Sequence, residues 1–160
     1  GYDRGHQIPS ADRLVTRGAN EQTFYYTNMT PQIGKGMNQN IWQKLETAVR
    51  GWSSNIDTLY VVTGAMPTTP ENTTITYTQD NNGKQIAVPK YYFKALCRIN
   101  RATGEAQTIA FKLENKAYPN NEPYMNHTLS VAELERMTGF VFFPMIREQD
   151  KQAYDKSKWN

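Results

Sequence analysis

The sequence predicts an α+β domain, rich in sheet and loop rather than a helical bundle. Three observations carry that prediction. The chain holds ten Tyr, six Phe and three Trp in 160 residues, and aromatic side chains suit pleated, half-buried surfaces. Residues 38–52 (NQNIWQKLETAVRGW) set Ile41, Leu45, Ala48, Val49 and Trp52 on one stripe at about 100° per residue, as a helix requires. Residues 91–99 and 108–113 read as two strands of a hairpin, joined by a turn at Ala102-Thr103-Gly104.

In chain order, residues 2–8 look extended and end at Pro9, which disfavours helix before it. Residues 23–28 (TFYYTN) are aromatic and β-branched, so a strand is expected there. Residues 29–36 (MTPQIGKG) carry Pro31, Gly34 and Gly36 and read as a loop. After the amphipathic helix, residues 59–66 (LYVVTGAM) read as a strand buried on both faces. Residues 67–83 are polar and rich in Thr and Asn, with an edge strand expected over 73–78 and a turn at Asn82-Gly83. Ser130 opens a second helix. Glu133 stands at capping-box spacing, and Gly139 is the expected stop.

The length suits one domain and can bury a core without staples. The single cysteine, Cys97, excludes an intrachain disulfide framework. No apolar run reaches membrane-spanning length; the nearest, residues 140–146, is broken by Pro144. No membrane span is therefore expected. The net charge of +3 permits an anionic partner without demanding one. We expect the folded domain over residues 1–147 and a polar tail over 148–160 that frays or lies on the surface.

Only two histidines exist, His6 and His127. His127 sits in a polar stretch and reads as an exposed loop residue. His6 ends a short extended segment, Asp3-Arg4-Gly5-His6. A lone histidine is more often structural than catalytic. Asn38, Glu46 and Arg50 line the polar margin of the helix. Glu46 and Arg50 are spaced for a plain intrahelical ion pair, and Asn38 for a plain N-cap. Together with His6, however, they supply the roles that phosphodiester hydrolysis needs: a base near neutral pKa, oxygen ligands for a hard cation, and fixed positive charge for phosphate.

The motifs extend further. The opening GYDRGHQIP with Ala11-Asp12 resembles the DRGH signature of the DNA/RNA non-specific endonuclease family, nucleases of the His-Me finger (ββα-metal) type. Residues 27–32 (TNMTPQ) resemble the family's Asn-x-x-Pro-Gln segment. Asn38-Gln39-Asn40-Ile41-Trp42 with Leu45-Glu46 resembles its metal-binding helix, and Val61-Val62-Thr63-Gly64 its core strand. Val88-Pro89-Lys90-Tyr91-Tyr92-Phe93-Lys94 and residues 129–144 resemble its later strand and closing helix.

The resemblance implies a mainly antiparallel sheet flanked by helices, and a magnesium-dependent endonuclease (Mn²⁺ a substitute) that cuts DNA and RNA alike and leaves 5′ phosphates. By the same resemblance His6 is the general base, Asn38 the protein ligand of Mg²⁺, and Glu46 a carboxylate acting through metal-bound water. Arg50 and Arg4 face phosphate, with Arg4 able instead to pair with Asp3 or Asp12, and Asn28 is a polar residue near the site, either binding substrate or only supporting the metal loop. DNA and RNA are the implied partners. The family's strands before DRGH are not in this chain, so an exposed sheet edge is expected, where an upstream segment or a second copy would pair. Export, to a secreted or periplasmic location, is the family's habit. The alternatives are a non-catalytic or weakly active nucleic-acid-binding module, which would tolerate loss of His6, Asn38 and Glu46, and a nuclease toxin domain with an immunity partner.

Overall fold

A computed structural model describes residues 1–54 and 56–160. Eight strands and three α-helices follow in the order β1 (Tyr2–His6), α1 (Arg17–Gln22), β2 (Met29–Ile33), α2 (Gln43–Ser53), β3 (Leu59–Met66), β4 (Thr76–Gln79), β5 (Gln85–Val88), β6 (Tyr91–Ile99), β7 (Ala106–Glu114), β8 (Thr128–Leu129) and α3 (Val131–Thr138). All pairing is antiparallel. The main sheet runs β3-β6-β7-β8, with two separate ribbons, β1-β2 and β4-β5.

β6 shows why the layers form. Its side chains alternate between the two faces of the sheet. Tyr92 and Leu96 join Met37, Ile41, Trp42, Leu45 and Val49 in one buried cluster beneath α2. Tyr91, Phe93 and Ala95 join Val131, Leu134 and Phe142 in a second beneath α3. The sheet is thus flanked by helices, as expected. α3 carries the reciprocal Ser130–Glu133 capping box and ends at Gly139.

Four expectations need correction. Residues 23–28 do not form a strand: they turn through a 3₁₀ segment, Tyr26–Asn28, and leave Phe24, Tyr25 and Tyr26 at 52%, 60% and 80% exposure. The MTPQI segment expected as loop is β2 instead. Pro31 is tolerated because the ribbon has only two strands and Pro31 supplies a carbonyl, which accepts from Tyr92 Oη at 3.0 Å and Asn115 Nδ2 at 3.1 Å. These two bonds fasten the ribbon to the main sheet. β3 is an edge strand rather than a fully buried one, with Tyr60, Val61 and Val62 exposed. The C-terminal residues do not fray: Trp159 is buried, with the Arg98 guanidinium 4.4 Å from its ring centroid, and Lys151 is buried with its Nζ 3.0 Å from Glu135 Oε1.

Candidate active site

The helix under the site starts at a kink. Gly36 has φ +82, and a Cβ there would meet the Tyr118 backbone nitrogen at 2.8 Å, so only glycine fits. After the kink, through Trp42, the turns are widened, with π-type hydrogen bonding, before α2 continues as a regular helix. Asn38 therefore stands in the first turn after the kink, at the helix start.

Asp3 orients it. The Asn38 amide donates from Nδ2 to Asp3 Oδ2 at 2.9 Å, and Gln39 Nε2 donates to the same oxygen at 2.7 Å. That contact fixes the amide and turns Asn38 Oδ1 away from any bond to a described residue. Gly5 permits close approach inside the ribbon: a Cβ would come within 2.2 Å of Gln32 Oε1. Gln32 itself is fully buried, and neither amide atom has a partner among the described residues.

A second link lies beyond the strand. Arg50 Nη1 donates to Asp12 Oδ1 at 3.0 Å, and Nη2 to Thr47 Oγ1 at 3.1 Å. The plain Glu46–Arg50 pair is therefore not made, and Arg4 does not take Asp12. The Asp3–Asn38 and Asp12–Arg50 contacts clamp the DRGH segment to the helix on both sides of His6. Arg4 is exposed and makes no ion pair among the described residues.

His6 ends β1. Its Nε2 is buried and makes no hydrogen bond to a described residue. Phe24 packs edge-on, with ring centroids 4.8 Å apart. Burial pushes the imidazole below its ordinary pKa, against a backbone hydrogen bond with Arg4 that raises it. The ring is thereby kept neutral and able to accept a proton. His127 is half-buried rather than exposed: its Nε2 lies 2.9 Å from Glu122 Oε1.

Asn28, expected at the substrate, spends its amide elsewhere. Nδ2 donates to the carbonyls of Ile8 and Thr23, and Oδ1 accepts from Ile8 N. With both ends engaged it ties Thr23 to the residues that follow His6, which matches the supporting alternative rather than the substrate one.

Lys94 has no assigned role in the sequence reading. It lies on β6 beneath α2, fully buried, with Nζ donating to Thr63 Oγ1 at 2.8 Å and 4.8 Å from the Trp42 ring centroid. Burial pushes it down to about 8, with the nearby Glu46 and Asp12 opposing that fall. Glu46 is the converse: burial raises its carboxyl, Lys94 and Arg50 pull it back, and Asp12 adds to the rise. One buried cation thus underlies the Glu46 carboxylate. Position on an apolar strand conceals such a residue, because a lysine there reads as an outward-facing surface charge.

Comparison with known proteins settles the family. The description "DNA/RNA non-specific endonuclease" matches residues 1–149. The chain belongs to that family. It is 32% identical over 148 residues to Nuclease C1 of Cunninghamella echinulata var. echinulata, which covers 91% of this chain and 58% of that protein. It is 34% identical over 145 residues to mitochondrial Nuclease 1 of Schizosaccharomyces pombe, covering 87% and 45%. Among solved structures, the crystal structure of the EndoG/EndoGI complex matches with a TM-score of 0.78 at 25% identity, over 96% of this chain and 63% of that one. This endonuclease-family chain therefore spans about half the length of the curated relatives that it matches. The ββα architecture expected from DRGH and the helix motif agrees with that neighbour.

Proposed function

We propose that the chain is a metal-dependent endonuclease that hydrolyses phosphodiester bonds of DNA and RNA without discriminating the sugar. The observation that carries this is His6: a neutral, desolvated imidazole whose buried Nε2 has no hydrogen-bond partner among the described residues, on a strand tied through Asp3 to Asn38. His6 takes a proton from a water molecule whose oxygen attacks phosphorus. The P–O3′ bond breaks, the 3′ oxygen leaves with a proton from solvent, and the phosphate stays on the 5′ side.

The donor set fits a hydrated hard cation. No group of three or more His, Cys, Asp or Glu that could hold a metal exists among the described residues, whereas Asn38 presents one amide oxygen, a suitable anchor for an ion that keeps most of its water. Bound Mg²⁺, with Mn²⁺ as substitute, would stabilise charge on the phosphate and the departing oxygen. Asn38 Oδ1 would hold it directly and Glu46 through its water. Arg4, free of partners, and Arg50 hold the phosphate. Because these contacts go to phosphate, nothing reads base edges or the 2′ hydroxyl.

Intact His6, Asn38 and Glu46 favour an enzyme over a binding-only module. The open β3 edge, with Tyr60, Val61 and Val62 exposed, suits an added strand from upstream residues or a second copy. No helix among the described residues is long and apolar enough to cross a membrane. Relatives in Schizosaccharomyces pombe and Saccharomyces cerevisiae are named mitochondrial; for this chain, import into an organelle or export is proposed, to be decided by cell fractionation.

The test is digestion of plasmid DNA and of RNA with Mg²⁺ or with EDTA. Cleavage of both, lost in EDTA and lowered at least about a hundredfold by His6→Ala, is the expected result. Undiminished cleavage by His6→Ala would reassign the base, and cleavage in EDTA would remove the metal.

A further inference from the structure

A groove of about 720 Å³ runs along β1 between the β1-β2 ribbon and the β4-β5 hairpin. Arg4, Tyr2 and Tyr26 stand on one side, and Asn81, Asn82 and Lys84 on the other. Its features are not those of a structural crevice. Tyr26 is 80% exposed and Tyr2 42% exposed, so neither ring contributes to a core. Lys84, like Arg4, makes no ion pair or side-chain hydrogen bond among the described residues. The acids beside them are engaged: Asp80 Oδ1 accepts from the backbone nitrogens of Asn82 and Lys84, each at 2.8 Å, and Asp3 Oδ2 holds Asn38 and Gln39. Two free cations, two bare aromatic faces and two amides thus share one groove. It begins at Arg4, two residues from His6, or about 6.6 Å along a strand.

We propose that this groove takes the nucleotide next to the scissile phosphate, its base stacked on Tyr26 and its own phosphate held by Lys84, while Arg4, at the end of the groove nearer His6, stays on the scissile phosphate. The inference rests on the nuclease reading and deepens it. Stacking on a tyrosine accepts any base, since every base has a π-face, and so it adds affinity without adding sequence preference. A base inside a duplex already has stacking partners and must leave them to enter. The groove therefore favours single-stranded or unpaired segments over intact duplex.

The test measures binding as well as cleavage. A fluorescently labelled single-stranded DNA 12-mer and the same strand with abasic sites are titrated against the chain, Tyr26→Ala, Tyr26→Phe and Lys84→Ala, with Tyr77→Ala, an exposed tyrosine of the same hairpin outside the groove, as control. Expected are about tenfold weaker binding of the normal strand by Tyr26→Ala, retention by Tyr26→Phe and Tyr77→Ala, and little further loss for Tyr26→Ala on the abasic strand. Lys84→Ala should lower the slope of log affinity against log salt by about 0.7. Binding of the normal strand unchanged in Tyr26→Ala, or weakened equally on both strands, overturns the proposal. Cleavage assayed on the same strands separates the two readings. A chain that binds as described yet cuts nothing loses the nuclease reading and keeps the groove. A chain that cuts while Tyr26→Ala is silent loses the groove alone.

Discussion

His6, the proposed base, shows how burial sets the protonation of a single side chain. Its imidazole gives up solvent to Phe24 and the ribbon, and desolvation disfavours the charged form. The sign follows directly. A histidine with a lowered pKa stays neutral to more acidic pH than a free one, and the neutral form is the base. The acid limb of kcat/KM against pH should therefore have its midpoint below the ordinary 6.5 of histidine. A midpoint above that value would show that the imidazole is not the group titrating, or that it works charged. Asp3 makes the matching point for orientation: its two accepted hydrogen bonds decide which atom Asn38 presents. The DRGH motif marked Asp3 as present, but nothing in a linear sequence shows that its partner lies beyond β2.

At the scale of elements, the helix that follows the Gly36 kink carries Asn38, Glu46 and Arg50 and rests on β6, so strand residues set the electrostatics of helix residues. Lys94 is the clearest case. It is charged below about 8 and lowers the Glu46 pKa. Lys94→Met removes that charge and leaves burial and Asp12 to raise Glu46 further. Its pH–rate profile should lose activity on the acid side at higher pH than the wild type, and Lys94→Arg should recover part of the loss. Superimposable profiles would mean that Lys94 only fills space. Periodicity made some elements easy to read. The Ile41–Leu45–Val49 stripe and the alternation of β6 follow from burial on a fixed face, so helix and hairpin were legible. The ribbon was not. Pro31 and Gly34 signalled loop, because local propensity could not show that Tyr92 and Asn115 would bond the Pro31 carbonyl. The aromatic run Phe24-Tyr25-Tyr26 signalled strand, because composition cannot tell an aromatic kept for the core from one kept on the surface.

Across the whole molecule, the C-terminal residues close the core that α2 rests on. Trp159 is 1% exposed and lies edge-on to Trp52, with centroids 5.5 Å apart. A lone tryptophan in a polar run carries no periodic signal, which is why the sequence suggested a fraying tail. Trp159→Ala should cost about 3–5 kcal/mol of stability, a fall in Tm of about 10 °C for a domain of this size. A change of under about 2 °C would place the tail outside the folded unit.

The proposed site requires His6 and Asn38 to serve one phosphate; the Asp3–Asn38 and Asp12–Arg50 contacts hold both on one frame. A double-mutant cycle measures this: kcat/KM for plasmid cleavage by the wild type, His6→Ala, Asn38→Ala and the double variant. Residues acting as a unit predict a double variant hardly slower than the worse single one. Losses that multiply in full would mean that imidazole and carboxamide work independently, and that the shared-phosphate site does not exist.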